Sequence, residues 1–197
     1  MTRPARTELL LIRHAPIREG GRLAGRSDEA ADCSDTSVLA ALRAAIGDVA
    51  QRVSSPALRC TQTARALWPD HAAPEIDARL WEQDFGKWEG MAFADLPDLG
   101  PLPPDELAAH RPPGGESFND LCRRTQPAWE TLAARGGRIA VVAHAGTVRA
   151  ALALALGAAG PALTFQVAPL SMTHLVAVAG STWSIGTVNW TVRGAMP

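Results

Sequence analysis

Two short apolar runs, each closed by a histidine, constrain this 197-residue chain more than any other feature. The first is Leu9-Leu10-Leu11-Ile12, followed by Arg13-His14; the second is Ile139-Ala140-Val141-Val142-Ala143, followed by His144. Both are apolar at every position instead of alternating, the pattern of a strand buried on both faces of a parallel sheet. Such a sheet needs helices on both sides, and its ligands bind beyond the carboxyl ends of its strands. Two of these strands side by side bring two imidazoles and an arginine to one rim. That combination suits an anionic group, a phosphate first.

The rest of the chain alternates strand and helix patterns. Strand one spans Glu8–Arg13. A helix is expected over Thr36–Ile46, with Ser34 or Asp35 as N-cap and Gly47 at its stop. Val49–Ser54 reads as a short strand, Pro56–Trp68 as a helix with proline in its first turn, and Glu75–Leu80 as a further strand. Leu96–Pro113 holds six of the fifteen prolines and reads as an irregular excursion. A long helix over Ser117–Arg135 precedes the strand Ile139–Ala143, and a helix over Thr147–Leu156 follows it. Late strands are expected at Met172–Ala179 and Thr182–Val192, with Gly180-Ser181 turning between them. The pattern predicts an α/β fold, a three-layer α/β/α sandwich on a mainly parallel sheet. Residues 1–197 read as a single domain, with 96–113 as a lid-like excursion.

Composition narrows the chemistry. A net charge of −1 provides no global pull towards nucleic acid or membrane, so an anion site must be built locally. No apolar stretch reaches transmembrane length. Met1–Arg6 has basic residues without an apolar segment and reads as a tail, not a signal peptide, with cytoplasm as the default location. Cys33, Cys60 and Cys122 share no redox or metal spacing, and the five histidines form no HxxH or HExxH pair, so no metal or cofactor is expected. Lys87 is the only lysine, which excludes a Walker A loop.

Two further segments hold reactive groups. Ser54-Ser55-Pro56-Ala57-Leu58-Arg59 leads from a strand into a helix. An arginine in a helix's first turn opposes the helix dipole and calls for a compensating anion or another good contact. Leu80-Trp81-Glu82-Gln83-Asp84-Phe85-Gly86-Lys87-Trp88-Glu89-Gly90 mixes aromatics with carboxylates. It can line a pocket and present Glu82, Asp84 or Glu89 as an acid.

The Arg13-His14 pair, the Ser55 to Arg59 segment, the Glu82 to Gly90 segment, Pro112-Pro113-Gly114-Gly115-Glu116-Ser117, and His144 before Gly146 together resemble the histidine phosphatase superfamily, also called phosphoglycerate mutase-like. The likeness runs from about residue 8 to residue 180, with motif order preserved, and is most similar to the α-ribazole phosphatase branch of cobalamin synthesis. There are departures. Ala15 stands where the family has the glycine of its RHG triplet, and Ala145 where a glycine often follows the second histidine. Pro16, Ile17 and Gly20 occupy the stretch where a family asparagine contacts phosphate; Arg26, Ser27 or the backbone around Gly25 are candidates to replace it.

The resemblance implies a metal-independent phosphomonoesterase. His14 would be the nucleophile that becomes a phosphohistidine, Glu82 the general acid and base, and His144 a donor to the phosphate. Arg13, Arg59 and the Ala145 N–H would bind the phosphate oxygens. The partner is a small phosphate ester; a homodimer is left open. Two alternatives stand beside this: a phosphoglycerate mutase, and a non-catalytic module that binds a phospho-ligand. Trp81, Phe85, Trp88 and Phe93 serve equally as core or as pocket wall, and His71, His110 and His174 read as structural or solvent-exposed. The excursion offers one arginine, Arg111, against Asp95, Asp98, Asp105 and Glu106. That balance favours a ring-bearing ester, α-ribazole 5′-phosphate first, over a small charged sugar acid.

Overall fold

The computed structural model describes residues 6–178 and 182–192. Its centre is a six-stranded sheet of order β3-β2-β4-β1-β5-β6. The strands are β1 (Arg6–Arg13), β2 (Gln51–Ser54), β3 (Glu75–Ile76), β4 (Gly137–Ala143), β5 (Met172–Val178) and β6 (Thr182–Trp190). The first four are mutually parallel; β5 runs antiparallel to β1, and β6 antiparallel to β5.

The two apolar runs are the adjacent central strands. Side chains alternate across a strand, so Leu9, Leu11, Ile139 and Val141 enter one core, while Leu10, Ile12, Ala140 and Val142 enter the other. The first core is closed by α4 (Phe118–Ala133) and α5 (Ala145–Leu156), and the second by α1 (Thr36–Ile46) and α2 (Leu58–Leu67). This three-layer arrangement explains why both runs lack polar positions.

Local chemistry sets the helix ends. Asp35, not Ser34, caps α1, accepting the Val38 N–H at 3.1 Å, and Gly47 ends it at φ 65°. Ser117 and Asp120 form a capping box at the start of α4, whose Leu121, Ala128, Trp129 and Leu132 face the core.

The structure differs from expectation in three places. The strand expected over Glu75–Leu80 pairs only at Glu75–Ile76, because Asp77 accepts the Arg79 N–H and turns the chain into a 3-10 helix at Ala78–Leu80. The proline-rich excursion contains a short helix, α3 (Pro104–Ala109), opening on a proline pair that suits a helix start. A further helix, α6 (Ala159–Ala162), was not expected. Ala179, the Gly180-Ser181 turn and most of the N-terminal tail lie outside the described residues. Among the described residues, no helix is long and apolar enough to cross a membrane.

Candidate active site

The register of the two central strands creates the site. β1 and β4 pair so that Arg13 is level with Ala143, which places His14 and His144 together just beyond the sheet. The His14 N–H donates to the Ala143 carbonyl at 2.9 Å, and the two imidazoles meet edge to face with centroids 5.3 Å apart.

His14 is buried and its ring is held in one tautomer. Its Nδ1 lies 2.7 Å from the Ala15 carbonyl, an acceptor only, so Nδ1 holds the proton and Nε2 keeps its lone pair. Burial pushes its pKa down to about 3, with the charges of Arg59 and Arg13 acting in the same direction. The ring is therefore neutral at ordinary pH.

His144 is fully buried and its two nitrogens are engaged. Arg59 Nε–H donates to Nδ1 at 3.2 Å, which leaves the proton on Nε2, 2.8 Å from Ser55 Oγ. Burial, then Arg59 and His14, holds this imidazole well below its usual pKa. Trp81 stacks on it at 6.4 Å between centroids, and Arg26 lies over the same indole.

Arg59 is also wholly buried. Besides His144, it donates to the carbonyls of Ser27 and Gly25, each at 2.7 Å. Three of its five N–H groups are thus committed to protein, and the stretch expected to replace the family asparagine braces Arg59 through its backbone. The unfavourable placement in a first helical turn is offset by these carbonyls.

Glu82 is 7% exposed, and its oxygens accept the Gln83 N–H at 2.9 Å and the Gly146 N–H at 3.0 Å. Arg124 on α4 fixes its backbone by donating to the carbonyls of Trp81 and Glu82, both at 3.1 Å. The other two carboxylates of the segment are tied to backbone N–H groups and do not line the cavity. Glu89 accepts the backbone N–H groups of Arg26, Ser27 and Phe85, and Asp84 accepts that of Gly86.

A cavity of about 430 Å³ opens over this group. Arg13, His14, Glu82 and Ala145 line it, while Arg59 and His144 lie behind its floor. Arg13 donates to the Val167 carbonyl at 2.6 Å, and its buried Nε has no partner among the described residues. The α5 N-terminus presents orphan N–H donors; Glu82 takes that of Gly146, and Ala145 stands at the cavity. Among the described residues, no cluster of three or more His, Cys, Asp or Glu side chains is placed to hold a metal.

Several lining residues were not singled out from sequence. Arg22, from the loop after β1, and Arg149, one turn along α5 from Ala145, both reach the cavity. Arg149 donates to the Phe165 carbonyl at 2.8 Å, and burial lowers its pKa. The poverty of cations expected from the excursion alone is therefore corrected: cations arrive from two other elements. His110, expected to be structural or exposed, also lines the cavity, as do Phe85, Trp88 and Phe93. Arg149 had one available signal, its spacing of one helical turn from the motif around His144. Arg22 and His110 had none.

A family model described as the histidine phosphatase superfamily (branch 1) matches residues 9–191. A bifunctional protein of Mycobacterium tuberculosis is 34% identical over 208 residues, covering 94% of this chain and 54% of that protein. The chain thus spans about half the length of the first curated relatives it matches. A glucosyl-3-phosphoglycerate phosphatase of Mycolicibacterium vanbaalenii is 33% identical over 169 residues, 76% of this chain and 74% of that protein. The solved mycobacterial glucosyl-3-phosphoglycerate phosphatase in complex with VO3 superposes with a TM-score of 0.81 at 25% identity, covering 96% of this chain and 100% of that one. The alpha-ribazole phosphatase of Shigella flexneri shares the fold, with a TM-score of 0.77, 22% identity and coverage of 93% and 96%.

Proposed function

This chain belongs to the histidine phosphatase superfamily, and on that premise we propose that it is a phosphomonoesterase working through a phosphohistidine on His14. The observation that carries the reading is the state of His14: a neutral ring with its Nδ1 proton tied to a backbone carbonyl, in a cavity that Arg13 and Glu82 also line.

In the proposed reaction His14 Nε2 attacks phosphorus and the ester P–O bond breaks. The leaving oxygen takes a proton from the Glu82 carboxyl. Water then attacks the phosphohistidine, Glu82 takes its proton, and the N–P bond breaks to release phosphate and neutral His14. Arg13, through its unpartnered Nε, and the Ala145 N–H bind the equatorial oxygens, where charge is spread in a loose transition state. Arg59 and His144, behind the floor, act on the phosphate from below: Arg59 adds its buried positive charge and holds the His144 ring, whose Nε2 proton is shared with Ser55. These arginines supply the positive charge that a divalent cation would otherwise bring.

For the substrate, Arg22 and Arg149 favour an ester with a second anionic group, and the aromatic walls favour a ring. A carboxylated sugar phosphate of the glucosyl-3-phosphoglycerate kind meets both conditions. α-Ribazole 5′-phosphate, the ester expected first from sequence, meets only the second.

The test is trapping. Labelled substrate should leave label on the protein that is lost in acid and survives alkali, and turnover should persist after dialysis against a chelator. Label retained by a His14→Ala variant, or activity restored only by added metal, would overturn the reading.

A further inference from the structure

The excursion over residues 96–113 brings one polar group to the cavity that the phosphoryl chemistry does not use. His110 follows α3, stacks on Trp88 with centroids 5.4 Å apart and planes 20° from parallel, and lines the cavity. Its Nε2 is buried and has no hydrogen-bond partner among the described residues. A buried ring nitrogen without a partner is costly, and such orphans in a concave site call for a ligand group. Trp88 sits in the segment after Glu82, so the pair joins the excursion to the segment that carries the proposed acid.

We propose that His110 and Trp88 form a subsite for the leaving alcohol, specific for a hydroxylated saturated ring such as a hexose. The proposal rests on the phosphatase reading above. Aromatic faces at Phe85, Trp88 and Phe93 accept the C–H face of such a ring, and His110 Nε2 pairs with one of its hydroxyls. A flat aryl group would use the same walls but has no hydroxyl for the orphan nitrogen. The ring state of His110 decides only the direction of that bond, since imidazole nitrogen either donates to or accepts from a hydroxyl. His110 is thus a specificity residue carried by the most irregular part of the chain, where loops commonly carry selectivity on a rigid scaffold.

Two esters that differ only by the ring isolate the contact: glucosyl-3-phosphoglycerate and 3-phosphoglycerate. The readout is the ratio of their kcat/KM values on one preparation, which cancels any loss of folded protein. His110→Ala should lower that ratio about five- to tenfold, the scale of one hydrogen bond, and His110→Gln should recover part of it. A ratio that stays within about twofold in His110→Ala overturns the subsite while leaving the phosphatase intact. Failure of the wild-type protein to hydrolyse either compound, or any other phosphate ester, overturns the phosphatase reading and this subsite with it.

Discussion

Replacing Gly146 with alanine tests how closely Glu82, the proposed general acid, is held. Gly146 is the second residue of α5, and its N–H donates to Glu82 Oε2 at 3.0 Å. A Cβ built there lies 3.1 Å from both the Glu82 Cδ and the Leu121 Cδ2, and closer still to Glu82 Oε1. Carbon atoms rest at about 3.5–4.0 Å, so the carboxyl must retreat by roughly 0.5–1 Å. A misplacement of about 1 Å costs on the order of a hundredfold in rate, or ~2.7 kcal/mol of barrier. Stability should change little, because alanine's gain in helix propensity over glycine, up to ~1 kcal/mol, offsets much of the overpacking against Leu121. The assay is single-turnover phosphorylation with an alkyl ester and with p-nitrophenyl phosphate. The alkyl ester needs protonation of its leaving oxygen and should slow about a hundredfold; the nitrophenolate leaves unaided and should slow less than about tenfold. Equal slowing of both, or an alkyl rate within about threefold of wild type, would refute Glu82 as the acid held by Gly146.

Arg59→Lys should remove buried charge-assisted bonds to Gly25, Ser27 and His144 that an ammonium cannot reproduce together, at a cost of roughly 3 kcal/mol or more. Thermal melting should show a Tm lower by about 6 °C or more, and a change under about 2 °C would mean that the guanidinium is not structural. The two histidines make stability pH-dependent. The folded-state pKa of His14 is depressed to about 3, and that of His144 is also depressed, whereas both titrate near 6.5 when unfolded. Their contribution is therefore fully present above pH 6.5 and is lost as pH falls from there towards 3. Tm measured across that window should fall less steeply in His14→Gln than in wild type; parallel curves would contradict a buried neutral His14.

Much of this molecule was legible in the chain before folding. Leu9–Ile12 and Ile139–Ala143 are apolar at every position because helices cover both faces, and that pattern is local. The caps at Asp35 and Ser117 are local too, since they depend on a side chain reaching an N–H three residues on. So are the Arg13-His14 and His144 positions at strand ends. The tertiary structure decided what depends on contacts between distant residues. It separated Glu82 from Asp84 and Glu89, because only Glu82 meets the N-terminus of α5, 64 residues away in sequence. It placed Arg59 and His144 behind the cavity floor, since the carbonyls that hold Arg59 lie about thirty residues upstream. It also brought Arg22, Arg149 and His110 to one cavity from a loop, a helix and a proline-rich excursion. No spacing or periodicity encodes that meeting, because side chains on separate elements converge only after the sheet has set their positions.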